Sequence, residues 1–266
     1  MVEADGQTKI RKWGYGRAAK KLLEQVEWLN ENAHRIPCAK VIHWDYGRDD
    51  FFYDMEYKPE AVNYFDFIHN NHYQVAENIF YDFFKKIDRY HNVSFRPASG
   101  FKRIAYVNEK ILENLHKIKD YISIPKILFD QQWCIDQIQW HVESKIHGDL
   151  TIENVMIHGK EFFLIDPNPN NILDTPLLDW AKLMQSLHSG YEFMKIDGKY
   201  SKEYKRLHEI LCFFIRSNYD KHVLKEVYFH EIVHFIRLIP YKIRKDPQNL
   251  ARYEIILNHL VEEYLQ

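Results

Sequence analysis

The stretch that most constrains the fold of this chain is residues 146–171, which read IHGDLTIENVMIHGKEFFLIDPNPNN. Two apolar runs within it, VMI and EFFLI, are typical of short β-strands, and the residues HGK between them suit a turn. In a hairpin centred on Lys160, Asn154 would lie directly across from Asp166, with about 5 Å between their Cβ atoms. The sequence therefore predicts a hairpin that brings a side-chain amide and a carboxylate together.

The polar residues around this hairpin are of the types that phosphoryl transfer requires. That reaction needs a carboxylate to accept the proton of the attacking hydroxyl, and side-chain oxygens to hold the metal ion that neutralises phosphate charge. We therefore expect Asp149 to orient and deprotonate a hydroxyl, and Asn154 and Asp166 to bind one Mg²⁺ ion. His147, two residues before Asp149, is expected to support the loop through hydrogen bonds.

The bulk composition excludes several classes of partner. Of the 266 residues, 46% are hydrophobic and 28% charged, and the formal net charge is −2. This balance opposes binding to nucleic acid or to an anionic membrane surface. The longest apolar runs fall short of the ~20 residues that span a bilayer, and the first residues lack a signal-peptide core. With 3 widely spaced cysteines in no metal motif, reduced thiols in a cytoplasmic protein are expected.

The periodicity of the chain changes near Pro59. Before it, strands are predicted at residues 8–13, 38–46 and 50–57, with an amphipathic helix at 17–33. After it come predicted helices at 63–69, 73–90, 107–121, from 175 onwards, and at 202–217, 224–238 and 249–265. The expected fold class is α+β, with two lobes. A small α/β lobe covers 1–58, and a larger, mainly helical lobe covers 59–266, with a catalytic loop at 147–154 and a metal-binding segment at 164–170.

Several motifs in this order resemble the aminoglycoside phosphotransferase and choline kinase superfamily, which has a protein kinase-like fold. HGDLTIENVM resembles its catalytic loop, in which Gly replaces the Arg of the protein kinases' H-R-D. LIDPNP resembles its metal-binding segment, and LDTPLLDWAKL resembles the block whose second Asp, here Asp179, supports the catalytic loop from behind. Within the superfamily, the chain looks most like the phosphotransferases associated with bacterial capsular polysaccharide biosynthesis.

The resemblance implies a nucleotide site in the small lobe. Lys12, or alternatively Lys9, would hold the phosphates. The partner of this lysine on the following helix would be Glu24, although the best register against the family places Gln25 there.

The motif YDMEY resembles the strand that leads to the hinge, so the backbones of Glu56 and Tyr57 would bind the base. The implied cofactors are Mg²⁺ and ATP or GTP. The implied acceptor is a hydroxyl of a small molecule, with a sugar or polysaccharide precursor favoured.

Two alternatives remain open. Only about eight residues precede the lysine strand, where the family has two strands and a phosphate-covering loop. The small lobe is therefore expected to be truncated and completed by a partner domain or a longer parent protein, or else to belong to a degenerate, pseudokinase-like binding module.

The second alternative is a zinc hydrolase. It rests on His230-Glu231-Ile232-Val233-His234, an H-E-x-x-H sequence followed by Glu254. Packing histidines on an apolar helix are the simpler account of this pentapeptide.

Overall fold

The computed structural model describes residues 1–4, 7–70, 73–140, 142–169, 171–196 and 202–266. Asn170, in the predicted metal-binding segment, lies outside this part of the chain. The structure is α+β and contains two compact units, Met1–Tyr90 with His147–Asn171, and His91–Ile146 with Ile172–Gln266. Residues 59–90, predicted as part of the larger lobe, group with the first unit, where Val62–Asn63 pair with the motif hairpin.

The first unit contains a four-stranded antiparallel sheet in the order β1-β2-β4-β3. On β4 the residues Phe51, Tyr53 and Met55 lie on one face and are buried, as expected for a strand with one covered face. Asp54, on the other face, is also buried and pairs with Arg11. Helix α1 contributes buried Val26 and Leu29. The elements are β1 (Val2–Ala4), β2 (Gln7–Tyr15), α1 (Arg17–Asn32), β3 (Val41–Tyr46) and β4 (Asp50–Glu56).

The predicted hairpin is present in the first unit, but its register differs by one residue from the prediction. Val155 pairs with Leu164, and the turn consists of two residues, Gly159 and Lys160, instead of three. Gly159 has φ 63°, and a glycine with positive φ at the first turn position is typical of type II′ hairpins. The hairpin strands β8 (Val155–His158) and β9 (Glu161–Leu164) join β5 (Val62–Asn63) in a three-stranded sheet.

Two backbone hydrogen bonds attach this hairpin to the chain before β3. The N–H of Ala39 donates to the carbonyl of Leu164 (2.8 Å), and the N–H of Leu164 donates to the carbonyl of Pro37 (3.0 Å). Helix α3 packs on the other side of the hairpin, where the rings of Phe83 and Phe162 meet edge to face at 5.0 Å. The helices of this region are α2 (Tyr64–Asn70) and α3 (Tyr73–Asn92).

The second unit is mainly helical. The helix predicted at 107–121 instead begins at Gly100, where Ser99 caps it, and it passes through a π-helical turn, Val107–Leu112. Helix α7 begins at Pro176 behind the capping residue Thr175, as predicted. The elements are β6 (Arg96–Pro97), α4 (Gly100–Tyr106), α5 (Glu113–Ile118), α6 (Gln131–Asp136), β7 (Val142–Glu143), α7 (Pro176–Leu187), α8 (Phe193–Ile196), α9 (Lys202–Asn218), α10 (Val223–Lys245) and α11 (Leu250–Leu265).

Helix α10 is longer than predicted. The predicted helix ends at residue 238, two residues before Pro240, yet α10 continues through Pro240 to Lys245. Ile239 and Lys242, on either side of the proline, are buried, so packing outweighs the hydrogen bond that the proline nitrogen cannot donate.

Among the helices in the described ranges, none is both long and apolar enough to cross a membrane.

Candidate active site

The imidazole of His147 links the predicted catalytic loop to the predicted metal-binding segment. The side chain is fully buried, and its Nε2 lies 2.8 Å from the carbonyl oxygen of Ile165. Its Nδ1 accepts the backbone N–H of Asp149 at 3.3 Å, and its ring packs edge-on against Trp28 at 5.4 Å. Because a carbonyl can only accept, Nε2 carries the proton, and the neutral tautomer satisfies both contacts.

Gly148 allows the two segments to approach each other closely. Its φ is 78°, and a Cβ at this position would lie 2.1 Å from the carbonyl oxygen of Asn168. The N–H of Asn168 donates to the carbonyl of His147 at 2.7 Å. Glycine is therefore required here both by the left-handed backbone and by the lack of space for a side chain.

Asn154 closes the loop that carries Asp149. It ends a short 3₁₀ turn, and its Nδ2 donates to the carbonyl of Asp149 at 2.7 Å. The N–H of Thr151 donates to the same carbonyl at 2.9 Å. Since the amide nitrogen of Asn154 is engaged, its Oδ1 is the atom available to a metal ion or another donor. The Asp149 side chain is half-buried.

Asp166 follows β9, one residue beyond the backbone partner of Asn154. The N–H of Ile165 donates to the carbonyl of Asn154 at 3.0 Å, so Asp166 does not lie directly across from Asn154 as the predicted register required. Its φ of 57° is the only positive value at a non-glycine residue in the described chain. The two predicted metal ligands are therefore placed by a backbone turn after the strand rather than by hairpin pairing.

The ammonium of Lys12 forms an ion pair with Oδ1 of Asp166. Burial, and after it the charge of Lys21, lowers the pKa of Lys12 to about 8. The contact with Asp166 favours the charged form. Lys9, the alternative, is three residues away on β2 and therefore on the opposite face of the strand. It pairs in register with Glu56, so Lys12 is the lysine that contacts the predicted metal-binding segment.

On helix α1, Gln25 and not Glu24 contacts this segment. The Gln25 side chain is buried. Its Nε2 donates to the carbonyl of Pro167 at 2.9 Å, and its Oε1 accepts the hydroxyl of Tyr53 at 3.0 Å. Glu24 is half-exposed, because consecutive helical residues point about 100° apart. The register that favours Gln25 agrees with this geometry, and the prediction of Glu24 does not.

The hinge-like residues fit their prediction only in part. The backbone N–H of Glu56 donates to the carbonyl of Lys40 at 3.0 Å. This N–H is therefore engaged within the protein. It does not point to a base, although the resemblance implies that the Glu56 backbone would bind one. The carbonyl of Glu56 and the backbone of Tyr57 are the groups for which the prediction stays open.

Asp179, the predicted support of the catalytic loop, lies in the second unit. It is fully buried on α7, and its Oδ2 is 3.0 Å from Nε2 of His91. Its role towards the catalytic loop stays a prediction.

The H-E-x-x-H residues lie on α10, and each contacts protein groups. All three side chains are buried. The described residues contain no cluster of three or more His, Cys, Asp and Glu side chains that could hold a metal ion. The contacts are His230 Nδ1 with the Tyr106 hydroxyl (3.1 Å), His234 Nε2 with the Leu178 carbonyl (3.2 Å), Glu231 with His188 (2.9 Å) and Ser189, and Glu254 with the Ser123 N–H (2.9 Å). These contacts favour packing histidines over a zinc site.

The site in the first unit suits Mg²⁺ rather than zinc. Its candidate ligands are oxygens, the carboxylate of Asp166 and the amide of Asn154, and neither histidine nor thiolate is among them. Mg²⁺ is usually held by one or two such groups together with phosphate oxygens and water. The ion pair with Lys12 also indicates that the Asp166 carboxylate accommodates a cation.

Comparison with known proteins identifies the fold. No protein-family model and no curated protein matches the chain. The backbone is similar to that of a glucosamine kinase solved with glucosamine, ADP and inorganic phosphate, with TM-score 0.59 and 12% identity over 98% of this chain and 73% of that one.

Two aminoglycoside phosphotransferases are also similar. APH(2″)-IIa in complex with gentamicin has TM-score 0.59 and 16% identity over 95% of this chain and 85% of that one. A type VIII aminoglycoside-3′-phosphotransferase has TM-score 0.53 and 14% identity over 88% and 90%, respectively. The chain therefore has the kinase-like fold that these small-molecule phosphotransferases share.

Proposed function

We propose that this protein transfers the γ-phosphoryl group of ATP or GTP to a hydroxyl of a small molecule, with a sugar or polysaccharide precursor as the favoured acceptor. The observation that carries the proposal is the convergence, within one compact unit, of Lys12, Asp166, Asn154 and Asp149. The fold shared with sugar and aminoglycoside phosphotransferases supports the same class of reaction.

Each residue has a separate role in the proposed reaction. The carboxylate of Asp149 orients the acceptor hydroxyl and takes its proton. Asn154 and Asp166 hold Mg²⁺, which when bound neutralises charge on the phosphates. Lys12 contacts the phosphates, and His147 fixes the loop through its bonds to Ile165 and Asp149.

The experiment that tests this proposal separates nucleotide binding from turnover. Asp149→Asn should retain Mg·ATP binding, since the metal and phosphate contacts are assigned to other residues. Binding is measured as a thermal shift, because a ligand at 100 times its Kd stabilises the folded protein by about 2.7 kcal/mol. ADP release with a panel of sugars and amino sugars should fall at least about 100-fold, since the base is lost. Glu161→Gln, on the exposed end of the hairpin, is the control. Retained turnover in Asp149→Asn would show that Asp149 is not the catalytic base.

A second candidate is a module that binds nucleotide without transferring phosphate. It is favoured by Gln25, which stands where the resemblance implies a glutamate, so that Lys12 pairs with Asp166 instead of a helix carboxylate. This candidate predicts a thermal shift with Mg·ATP and no ADP release with any acceptor. The lack of a shift up to millimolar nucleotide would count against both candidates.

A further inference from the structure

The backbone of Asp166 requires support from its neighbours. A residue with a side chain at φ 57° occupies the left-handed region, which is disfavoured by steric contact of the Cβ and is held in place by the surrounding structure. The carboxylate of Asp166 is the predicted metal ligand. Contacts that hold the Asp166 backbone therefore also fix the direction of this carboxylate.

Hydrogen bonds hold the peptide groups of Ile165, before Asp166, and the peptide group that follows Pro167. On the N-terminal side, the N–H of Ile165 donates to the carbonyl of Asn154 at 3.0 Å, and the carbonyl of Ile165 lies 2.8 Å from His147 Nε2. On the C-terminal side, the carbonyl of Pro167 accepts from Gln25 Nε2 at 2.9 Å. The N–H of the same Pro167–Asn168 peptide group donates to the carbonyl of His147 at 2.7 Å. The side chain of Gln25 and the backbone of His147 therefore hold the segment after Asp166 from its two sides.

The chemistry of this contact requires an amide at position 25. The carbonyl of Pro167 can only accept, so the atom that faces it must be a donor, and this assigns the amide nitrogen. The other end of the amide accepts the hydroxyl of Tyr53 at 3.0 Å, and burial raises the pKa of Tyr53, which keeps this hydroxyl protonated. An ionised glutamate would keep the second contact but turn a buried carboxylate oxygen towards a carbonyl oxygen.

We propose that Gln25 is a positioning residue that fixes Asp166 for metal–nucleotide binding by holding the carbonyl of Pro167. This inference rests on the proposed function. It makes Gln25 a specific part of the site instead of a sign of degeneration, because its amide makes a contact that an ionised glutamate at this position could not make. Lys12 correspondingly takes Asp166 as its counter-ion.

The test compares Gln25→Met, which keeps the length of the side chain without its hydrogen bonds, with Glu27→Gln, an exposed position on the same helix, as the matched control. Hydrogen exchange of the peptide covering 164–169 should accelerate in Gln25→Met only. The affinity for Mn²⁺·ATP, measured by electron paramagnetic resonance, should fall roughly tenfold, as expected from one lost buried hydrogen bond. ATP affinity without metal should change less than about twofold, since the nucleotide alone does not depend on Asp166.

A conservative variant provides a readout that general destabilisation would not produce. The carboxyl of Gln25→Glu is buried, which raises its pKa, and its protonated form can donate to the Pro167 carbonyl as the amide does. Its Mn²⁺·ATP affinity relative to wild type should therefore recover between pH 8 and pH 6, whereas that of Gln25→Met should not.

The outcomes distinguish this inference from the proposed function. Unchanged hydrogen exchange and unchanged Mn²⁺·ATP affinity in Gln25→Met would overturn the positioning role while leaving the phosphotransferase intact. A wild-type protein that binds no metal–nucleotide would instead overturn the proposed function, and hydrogen exchange would still report whether Gln25 holds the segment.

Discussion

At the scale of single residues, two glycines have similar backbone conformations but differ in the space available for a side chain. Gly148 and Gly159 have φ values of 78° and 63°. A Cβ at Gly148 would lie 2.1 Å from the carbonyl of Asn168, whereas a Cβ at Gly159 would meet nothing within 4 Å. Replacement by alanine therefore adds the same kind of backbone strain at both positions but a clash at only one.

We expect Gly148→Ala to lower the free energy of unfolding by roughly 3 kcal/mol or more, because overpacking adds to the strain of a positive φ. Gly159→Ala should lower it by about 1 kcal/mol, from the strain alone. Urea denaturation of both variants measures the difference. Equal losses would show that the close approach at Asn168 relaxes easily and does not explain the glycine of the HGD motif.

At this scale, the sequence nominates candidate site residues but does not predict the contacts that hold them. The types and order of Asp149, Asn154 and Asp166 follow from the chemistry of phosphoryl transfer. The contacts of Gln25 with Pro167 and Tyr53 could not be predicted, since they join three segments distant in sequence. The only signal was the family register that placed Gln25, not Glu24, opposite the lysine.

At the scale of elements, α10 shows how packing overrides a local signal. A proline inside a helix removes one hydrogen bond, here that between residue 240 and the carbonyl of Ile236, and its ring crowds the preceding turn. Helix α10 nevertheless continues through Pro240 to Lys245. Buried side chains on both sides of the proline, among them Ile239, stabilise the helix across this position.

Pro240→Ala should therefore raise the free energy of unfolding by about 1–2 kcal/mol, because the restored hydrogen bond exceeds the entropy that proline removes from the unfolded chain. The matched control is Pro176→Ala at the first turn of α7. No helical hydrogen bond is missing there, so this variant should be neutral or up to about 1 kcal/mol less stable. A loss of stability in Pro240→Ala would mean that the proline ring contributes packing that outweighs the hydrogen bond.

The hairpin at 155–164 shows the limit of register prediction from sequence. Its strands were predicted from apolar runs, yet the turn contains two residues instead of three, which shifts every cross-strand partner by one. Turns of both lengths suit a glycine, and only the backbone of Gly159, with φ 63°, distinguishes them. Periodicity thus predicts the elements, while turn geometry decides which side chains face each other.

At the scale of the whole molecule, the predicted α+β class and kinase-like fold are confirmed by the structure and its similarity to solved phosphotransferases. The predicted lobe boundary at residue 58 stays a prediction, while residues 59–90 group with the first unit, where Val62 and Asn63 pair with the hairpin. Such long-range pairing leaves no local signal in the sequence.

The stability of the whole molecule should depend on pH through two stacked histidines of the helical unit. The rings of His188 and His208 lie 4.6 Å apart. His188 Nδ1 is 2.9 Å from Glu231 and its Nε2 is 3.2 Å from Glu263. Burial opposes the charge of His188, but the two carboxylates outweigh it and raise its pKa to about 9. Burial and the charge of His188 lower the pKa of His208 to about 3.

The two shifts act in opposite directions around the ordinary histidine pKa of about 6.5. The raised pKa of His188 contributes stability that is complete below about pH 6.5 and is lost as the pH rises through about 9. The lowered pKa of His208 contributes stability that is present above about pH 6.5 and is lost as the pH falls towards about 3. Together they predict maximal stability near neutral pH.

We expect the free energy of unfolding of the wild type to fall by on the order of 2–3 kcal/mol between pH 6.5 and 9.5 from His188 alone. His188→Gln should be less stable at pH 6.5 and should lose this dependence, since glutamine bonds to the carboxylates without a titrating charge. The control, His34→Gln on the exposed surface, should follow the wild-type curve. Urea denaturation at each pH measures these values, and a His188→Gln curve parallel to wild type would show that other groups cause the alkaline loss.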